Sequence, residues 1–108
     1  MSQLRRGDIF FANLGHKCRP YLVVSNDIGN HHSNRVIIVP LTTRLDSMNK
    51  HYPTHCIVCP ENMKTSCVQC EEIRNADVSP NWHAVSHLSG ETMWHVDKAL
   101  KIALGVDR

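Results

Sequence analysis

Three groups of residues in this 108-residue chain have the types and spacing for chemistry. The first is Arg19, set directly before Pro20. The residue before a proline is driven to extended geometry. A guanidinium at that point is a rigidly placed, planar fork of donors suited to a phosphate. The second is Thr42, a hydroxyl ending the apolar run Val36 to Leu41, which by type and place alone reads as a strand-end threonine satisfying backbone groups. The third is Cys56, Cys59, Cys67 and Cys70, spaced C-x2-C-x7-C-x2-C, which on its face is a zinc pattern. Two histidines, His16 and His55, are of the side-chain type best suited to moving a proton near neutral pH.

The zinc reading meets a geometric objection. Cysteines three apart on a strand point to opposite faces. If Pro60 to Ser66 closes a symmetric hairpin, Cys56 faces Cys70 and Cys59 faces Cys67. The two pairs then lie on opposite faces and cannot share an ion. The knuckle glycines usual after such pairs are also missing.

The elements that position these groups follow from pattern. Asp8 to Leu14 predicts a first strand, framed by Gly7 and Gly15. A short link carrying His16 and Lys17 leads to a second strand from Arg19 to Val24. The run Ser25 to Asn30 is rich in Asn, Asp and Gly and predicts a turn. Arg35 to Thr42 predicts a third strand, with Pro40 marking a bulge or an edge. Thr43 to Tyr52 reads as a polar, basic loop, and Pro53 to Cys59 and Cys67 to Ile73 as two further strands. Ser79-Pro80 predicts a short helix to about Val85. A last helix opens at Ser89 or Gly90 and stops at Gly105, with Met93, Val96, Leu100 and Ala103 as its apolar stripe. Strands first and helices last make an α+β single domain: a small curled antiparallel barrel with a C-terminal helix packed on it.

Charge is uneven. Residues 1–54 hold seven Lys/Arg against three Asp/Glu, and residues 55–108 hold five against seven. The N-terminal half is therefore the one to face a polyanion. No apolar run approaches the roughly 20 residues of a membrane span. The N-terminus has no secretory apolar region, which points to the cytoplasm and to reduced thiols.

Taken in order, Arg6-Gly7-Asp8-Ile9-Phe10, Arg19-Pro20, Val24 to Asn30, Val39-Pro40-Leu41-Thr42, Pro53-Thr54-His55, Cys70-Glu71-Glu72-Ile73-Arg74, His87-Leu88-Ser89 and the tail Val96 to Val106 resemble the MazF/PemK family. These are toxin endoribonucleases of type II toxin–antitoxin systems. The resemblance covers essentially the whole chain. It implies an SH3-like barrel of the CcdB/MazF type and a homodimer. It also implies sequence-specific cleavage of single-stranded RNA without a metal or other cofactor, by attack of the RNA's own 2′-OH to leave a 2′,3′-cyclic phosphate and a 5′-OH. Inhibition by a small antitoxin lying over the site comes with it. Arg19 and Thr42 match the family's catalytic arginine and threonine. Lys17, Asn30, Thr43 and Arg44 become the candidate RNA contacts. Family members often carry a longer, flexible loop before the arginine. Here only Gly15 to Cys18 fills that gap, so gating by the loop is not expected. A guanidinium is a poor base near neutral pH, so His16 and His55 stay open as acid or base. Two other readings stand beside the nuclease: a non-catalytic barrel toxin acting on a protein such as gyrase, and a zinc-stabilised RNA-binding module.

Overall fold

In the computed structural model, residues 3–45 and 52–106 are described. The elements run β1 (Asp8–Asn13), β2 (Cys18–Val23), α1 (Asp27–His32), β3 (Arg35–Thr42), β4 (His55–Val58), β5 (Ser66–Gln69), β6 (Arg74–Asp77), β7 (Ser86–His87) and α2 (Gly90–Leu104). The strands form one curled antiparallel sheet in the order β4-β5-β3-β2-β1-β7, with β6 pairing β3. Strand β3 is the spine: β2 lies along one side, and on the other its partner changes from β6 at Arg35 to Ile38 to β5 at Leu41 and Thr42. Pro40, which has no N–H to donate, sits at that change of partner.

Alternation along the strands gives two cores. On one face Ile9, Leu22, Val39, Leu41, Val68 and Cys70 pack beneath Met93, Val96 and Ala99 of α2. Ser89 caps this helix by accepting from the Thr92 amide at 3.1 Å. Gly105 ends it in the left-handed region at φ 71°. On the other face Phe10, Ala12, Tyr21, Val23 and Ile38 form a second cluster, closed by Trp82 stacked on Phe10 at 4.7 Å between ring centroids. Arg6 ties the start of the chain to its later part: its Nε donates to the Val24 carbonyl at 3.1 Å, and its guanidinium pairs with Asp97 on α2.

Four expectations change. The segment 27–32 is a helix rather than a turn, because Asn26 caps it by accepting from the Gly29 amide at 2.7 Å. Asn and Asp suit N-caps as well as turns. The short helix over Pro80 to Val85 is absent. Ser79 holds a single turn, and Val85 N–H then bonds the Ile9 carbonyl at 2.7 Å, drawing the chain back to the sheet as Trp82 enters the second core. Strand β6 was not anticipated, since of its four residues only Ala76 is buried. The β4–β5 hairpin closes with Cys56 opposite Val68 and Ile57 opposite Cys67, two residues away from the symmetric register. Residues 46–51 of the expected Thr43 to Tyr52 loop lie outside the described residues.

Candidate active site and its surroundings

The register builds the site. Ala12 opposes Arg19 between β1 and β2, and Tyr21 opposes Pro40 between β2 and β3. The β2–β3 ladder ends at Tyr21 and Pro40; its continuation by two residues would set Arg19 across from Thr42. Thr42 opposes Cys67, which opposes Ile57. Ala12 with Arg19, and Thr42 with Cys67 and Ile57, make two transverse rows that this continuation would join at one end of the sheet. Arg19 is half-buried, and among the described residues no carboxylate lies within ion-pair distance of it. Thr42 Oγ1 accepts from the Arg44 amide at 3.2 Å, so its own O–H remains able to donate.

The two histidines part company. His16 is exposed in the short link between β1 and β2. His55 opens β4 opposite Gln69, one row along from Thr42 and on the same face. Its Nε2 meets Glu71 Oε2 at 2.8 Å, and the exposed ring of Tyr52 lies edge-on to it at 5.0 Å. Ideal sheet spacing puts the Cα atoms of His55 and Thr42 about 12 Å apart. A general base must come within about 3 Å of the proton it takes. His55 therefore stands beside the Arg19–Thr42 row rather than on it. Burial works to raise the Glu71 carboxyl, but hydrogen bonds led by that from His55 outweigh it and hold the group below its usual value.

Of the other candidates, Lys17, Thr43 and Arg44 are exposed close to the row in sequence. Asn30 is not available to a ligand. It is 1% exposed, its amide nitrogen donates to the Ser25 carbonyl at 2.9 Å, and its oxygen accepts from the Ser25 hydroxyl. Its part is to fasten α1 to the end of β2. The two-residue shift in the hairpin leaves the facing of the cysteines unchanged. Cys56 and Cys70 lie on the α2 side and Cys67 on the other, while Cys59 follows β4 with its sulfur 3.5 Å from Thr65 Oγ1. Burial pushes the Cys56 and Cys67 thiols up, and that of Cys70 up to about 12. Among the described residues, no group of three His, Cys, Asp or Glu side chains is placed to hold a metal.

Residues 5–104 match the family described as PemK-like, MazF-like toxin of type II toxin–antitoxin system. The chain belongs to this family. Endoribonuclease EndoA of Bacillus subtilis (strain 168) is 32% identical over 113 residues, covering 95% of this chain and 96% of its own length. A mycobacterial endoribonuclease solved in complex with its cognate antitoxin superposes with a TM-score of 0.84 at 27% identity, over 97% of this chain and 98% of that one. MazE–MazF of Deinococcus radiodurans, in one crystal form, superposes with a TM-score of 0.78 at 21% identity, over 96% and 97% of the two chains, a likeness of fold. The curled sheet and C-terminal helix expected from the sequence are therefore the family's own architecture. No described helix is long and apolar enough to cross a membrane. Sequence reasoning missed Tyr52, Gln69 and Glu71 beside the row. Glu71 stood in the quoted family segment, but nothing in its spacing tied it to His55, sixteen residues earlier.

Proposed function

We propose that this toxin-family chain is a ribonuclease of the cytoplasm. It cuts single-stranded RNA, mRNA above all, at short sequences without a metal, works as a homodimer, and is restrained by a small antitoxin. The observation that carries the reading is the 32% identity to an endoribonuclease over 95% of this chain, with Arg19 near the start of β2 and Thr42 at the end of the neighbouring β3.

The chemistry follows from what the two side chains offer. The 2′-OH of the substrate is already bonded to the nucleotide it must attack. The protein has to align it with the phosphorus and neutralise the charge that gathers on the phosphorane oxygens. Arg19 supplies a two-pronged cation for those oxygens. Thr42 donates its O–H to the same group while its oxygen accepts from the Arg44 amide. The products are a 2′,3′-cyclic phosphate and a 5′-OH. Lys17, Thr43 and Arg44 hold the backbone of the strand on either side. For assembly, Trp94 on α2 is 54% exposed with the Lys98 ammonium 4.1 Å from its ring centroid, and it offers an apolar face to a second copy.

The experiment is cleavage of a single-stranded RNA in excess EDTA, beside the same RNA with one 2′-deoxy nucleotide at the scissile position. Cutting of the first alone, with a cyclic phosphate at the new end, is expected. A magnesium requirement, or cutting of the deoxy site, would overturn internal attack.

A further inference from the structure

The outer edge of β1 is only partly covered. Strand β7 pairs with it at Asp8 and Ile9 alone, and the Val85 amide donates to the Ile9 carbonyl at 2.7 Å. That carbonyl points away from β2. Backbone groups along an antiparallel strand alternate in direction, so the amides and carbonyls of Phe11 and Asn13 point the same way. Those of Phe10 and Ala12 turn inward to Tyr21 and Arg19 of β2. Among the described residues, no backbone group bonds Phe11 or Asn13 on the outer side. Both are exposed, and the Phe11 side chain, 45% exposed, stands at this open edge.

Amides and carbonyls at strand spacing are complementary to the backbone of another extended peptide. The phosphates of a nucleic acid only accept and would leave both carbonyls unmet. A second copy of this chain fits badly. Antiparallel pairing of β1 with its own copy about Ala12 would set Phe11 against the partner's Asn13. The partner's Leu14 and Gly15 would then fall against Phe10 and Ile9, where Val85 and β7 already lie. The open stretch therefore suits a short segment of a different chain. Charge narrows its chemistry. No acidic residue stands between Asp8 and Asp27, and Asp8 is itself buried and held by His87 Nδ1 at 2.6 Å. Lys17 is exposed in the link that follows β1, and Arg19 lies one strand further in, opposite Ala12. An acidic peptide meets cations here and no exposed carboxylate in this stretch.

We propose that the open edge of β1 from Phe11 to Asn13 is a strand-addition site for an acidic, extended segment of the antitoxin. The segment exchanges backbone hydrogen bonds with Phe11 and Asn13, lays an apolar side chain beside Phe11, and lengthens the sheet by one strand. The plainer role, an edge kept too short to recruit anything, would leave both amides open in every state. The occupant rests on the toxin–antitoxin reading of the chain, and the test separates the two.

Amide hydrogen exchange is measured residue by residue on the chain alone and in complex with the antitoxin encoded beside it, and RNA cleavage is measured on the same samples. Alone, the Phe11 and Asn13 amides are expected to exchange freely while those of Phe10 and Ala12 are protected by β2. In the complex Phe11 and Asn13 should slow by at least about tenfold. Asn13→Pro removes one outward N–H at a strand end, where proline is tolerated, and should weaken antitoxin binding about tenfold. Asn13→Ala keeps that amide and, like the proline variant, loses the side-chain oxygen that accepts from the Gly15 amide. It should bind as the wild type does. A complex that stops cleavage while Phe11 and Asn13 exchange as in the free chain overturns the site and leaves the nuclease reading standing, as does undiminished binding by folded Asn13→Pro. Protection in the chain alone that grows with its concentration makes a second copy the occupant and overturns the proposal. Protection by an antitoxin in a chain that cuts no RNA overturns the ribonuclease reading and leaves the site standing. A chain that binds no antitoxin overturns the toxin–antitoxin reading and the occupant with it.

Discussion

The two faces of the sheet are made by the same strands and do opposite work. Beneath α2 the packed residues run from Ile9 and Leu22 through Val39 and Leu41 to Val68, all of them apolar. The other face is apolar over the cluster of Phe10, Ala12, Tyr21, Val23, Val36, Ile38 and Ala76, then turns polar towards Arg19, Thr42, His55 and Gln69. Leu22 and Arg19 are three residues apart on β2, yet one is sealed and the other is open to a ligand. The period of two in a strand lets one short segment serve stability on one side and chemistry on the other.

The sharpest way to break this division is to exchange the symptoms of its two sides. Leu22→Ala opens a cavity under α2 and should cost about 2–5 kcal/mol, a large part of a typical total of about 5–15. The melting temperature should fall steeply, while any protein that remains folded keeps its specific activity. Arg19→Ala should do the reverse. Cleavage should drop by about 100-fold or more with the loss of a charge partner for the phosphorane, and the melting temperature should hardly move. Arg19→Lys should also be poor, because one ammonium cannot replace the fork. If Arg19→Ala unfolds the protein, or cuts RNA normally, the division fails.

Acid sharpens the contrast by a smaller amount. The Asp27 carboxyl is held below its usual value chiefly by the Arg6 amide, and Glu71 chiefly, against burial, by His55. Such groups bind fewer protons in the folded chain than in the unfolded one. The stability they lend is complete above their ordinary values of 3.8 and 4.5 and is lost as pH falls through the lowered ones. Thermal melts should therefore worsen as pH drops below about 4. Asp27→Asn and Glu71→Gln should flatten that decline, and Leu22→Ala should leave its slope alone.

The helix-covered face was the more legible one. The stripe Met93, Val96 and Leu100, the cap at Ser89 and the stop at Gly105 are local signals, and each lies where the pattern predicts. Strand β3 was legible to its ends because Val36 to Leu41 is so apolar. What stayed hidden was decided at long range. Helix α1 looks like a turn until Asn30 is seen to be buried. The turn at Ser79 looks like a helix start until Trp82 is drawn against Phe10. Arg19 and Thr42 could be singled out one by one, but their facing each other depends on a ladder between segments 23 positions apart. The partnership of His55 with Glu71 depends on a hairpin register that symmetry placed two residues away.

The bond from Arg6 to Asp97 spans ninety-one positions of sequence, and α2 follows every strand in the chain. Synthesis therefore delivers the sheet first, with Ile9, Leu22 and Val39 uncovered. The contacts that seal it come from the segment translated after all the strands. A domain dominated by such distant pairings gains little from partial folding and closes late. Catalytic competence should consequently appear in a single step after α2 has cleared the ribosome rather than build up during elongation. A nascent chain arrested before α2 would carry Arg19 and Thr42 in sequence but not yet in register.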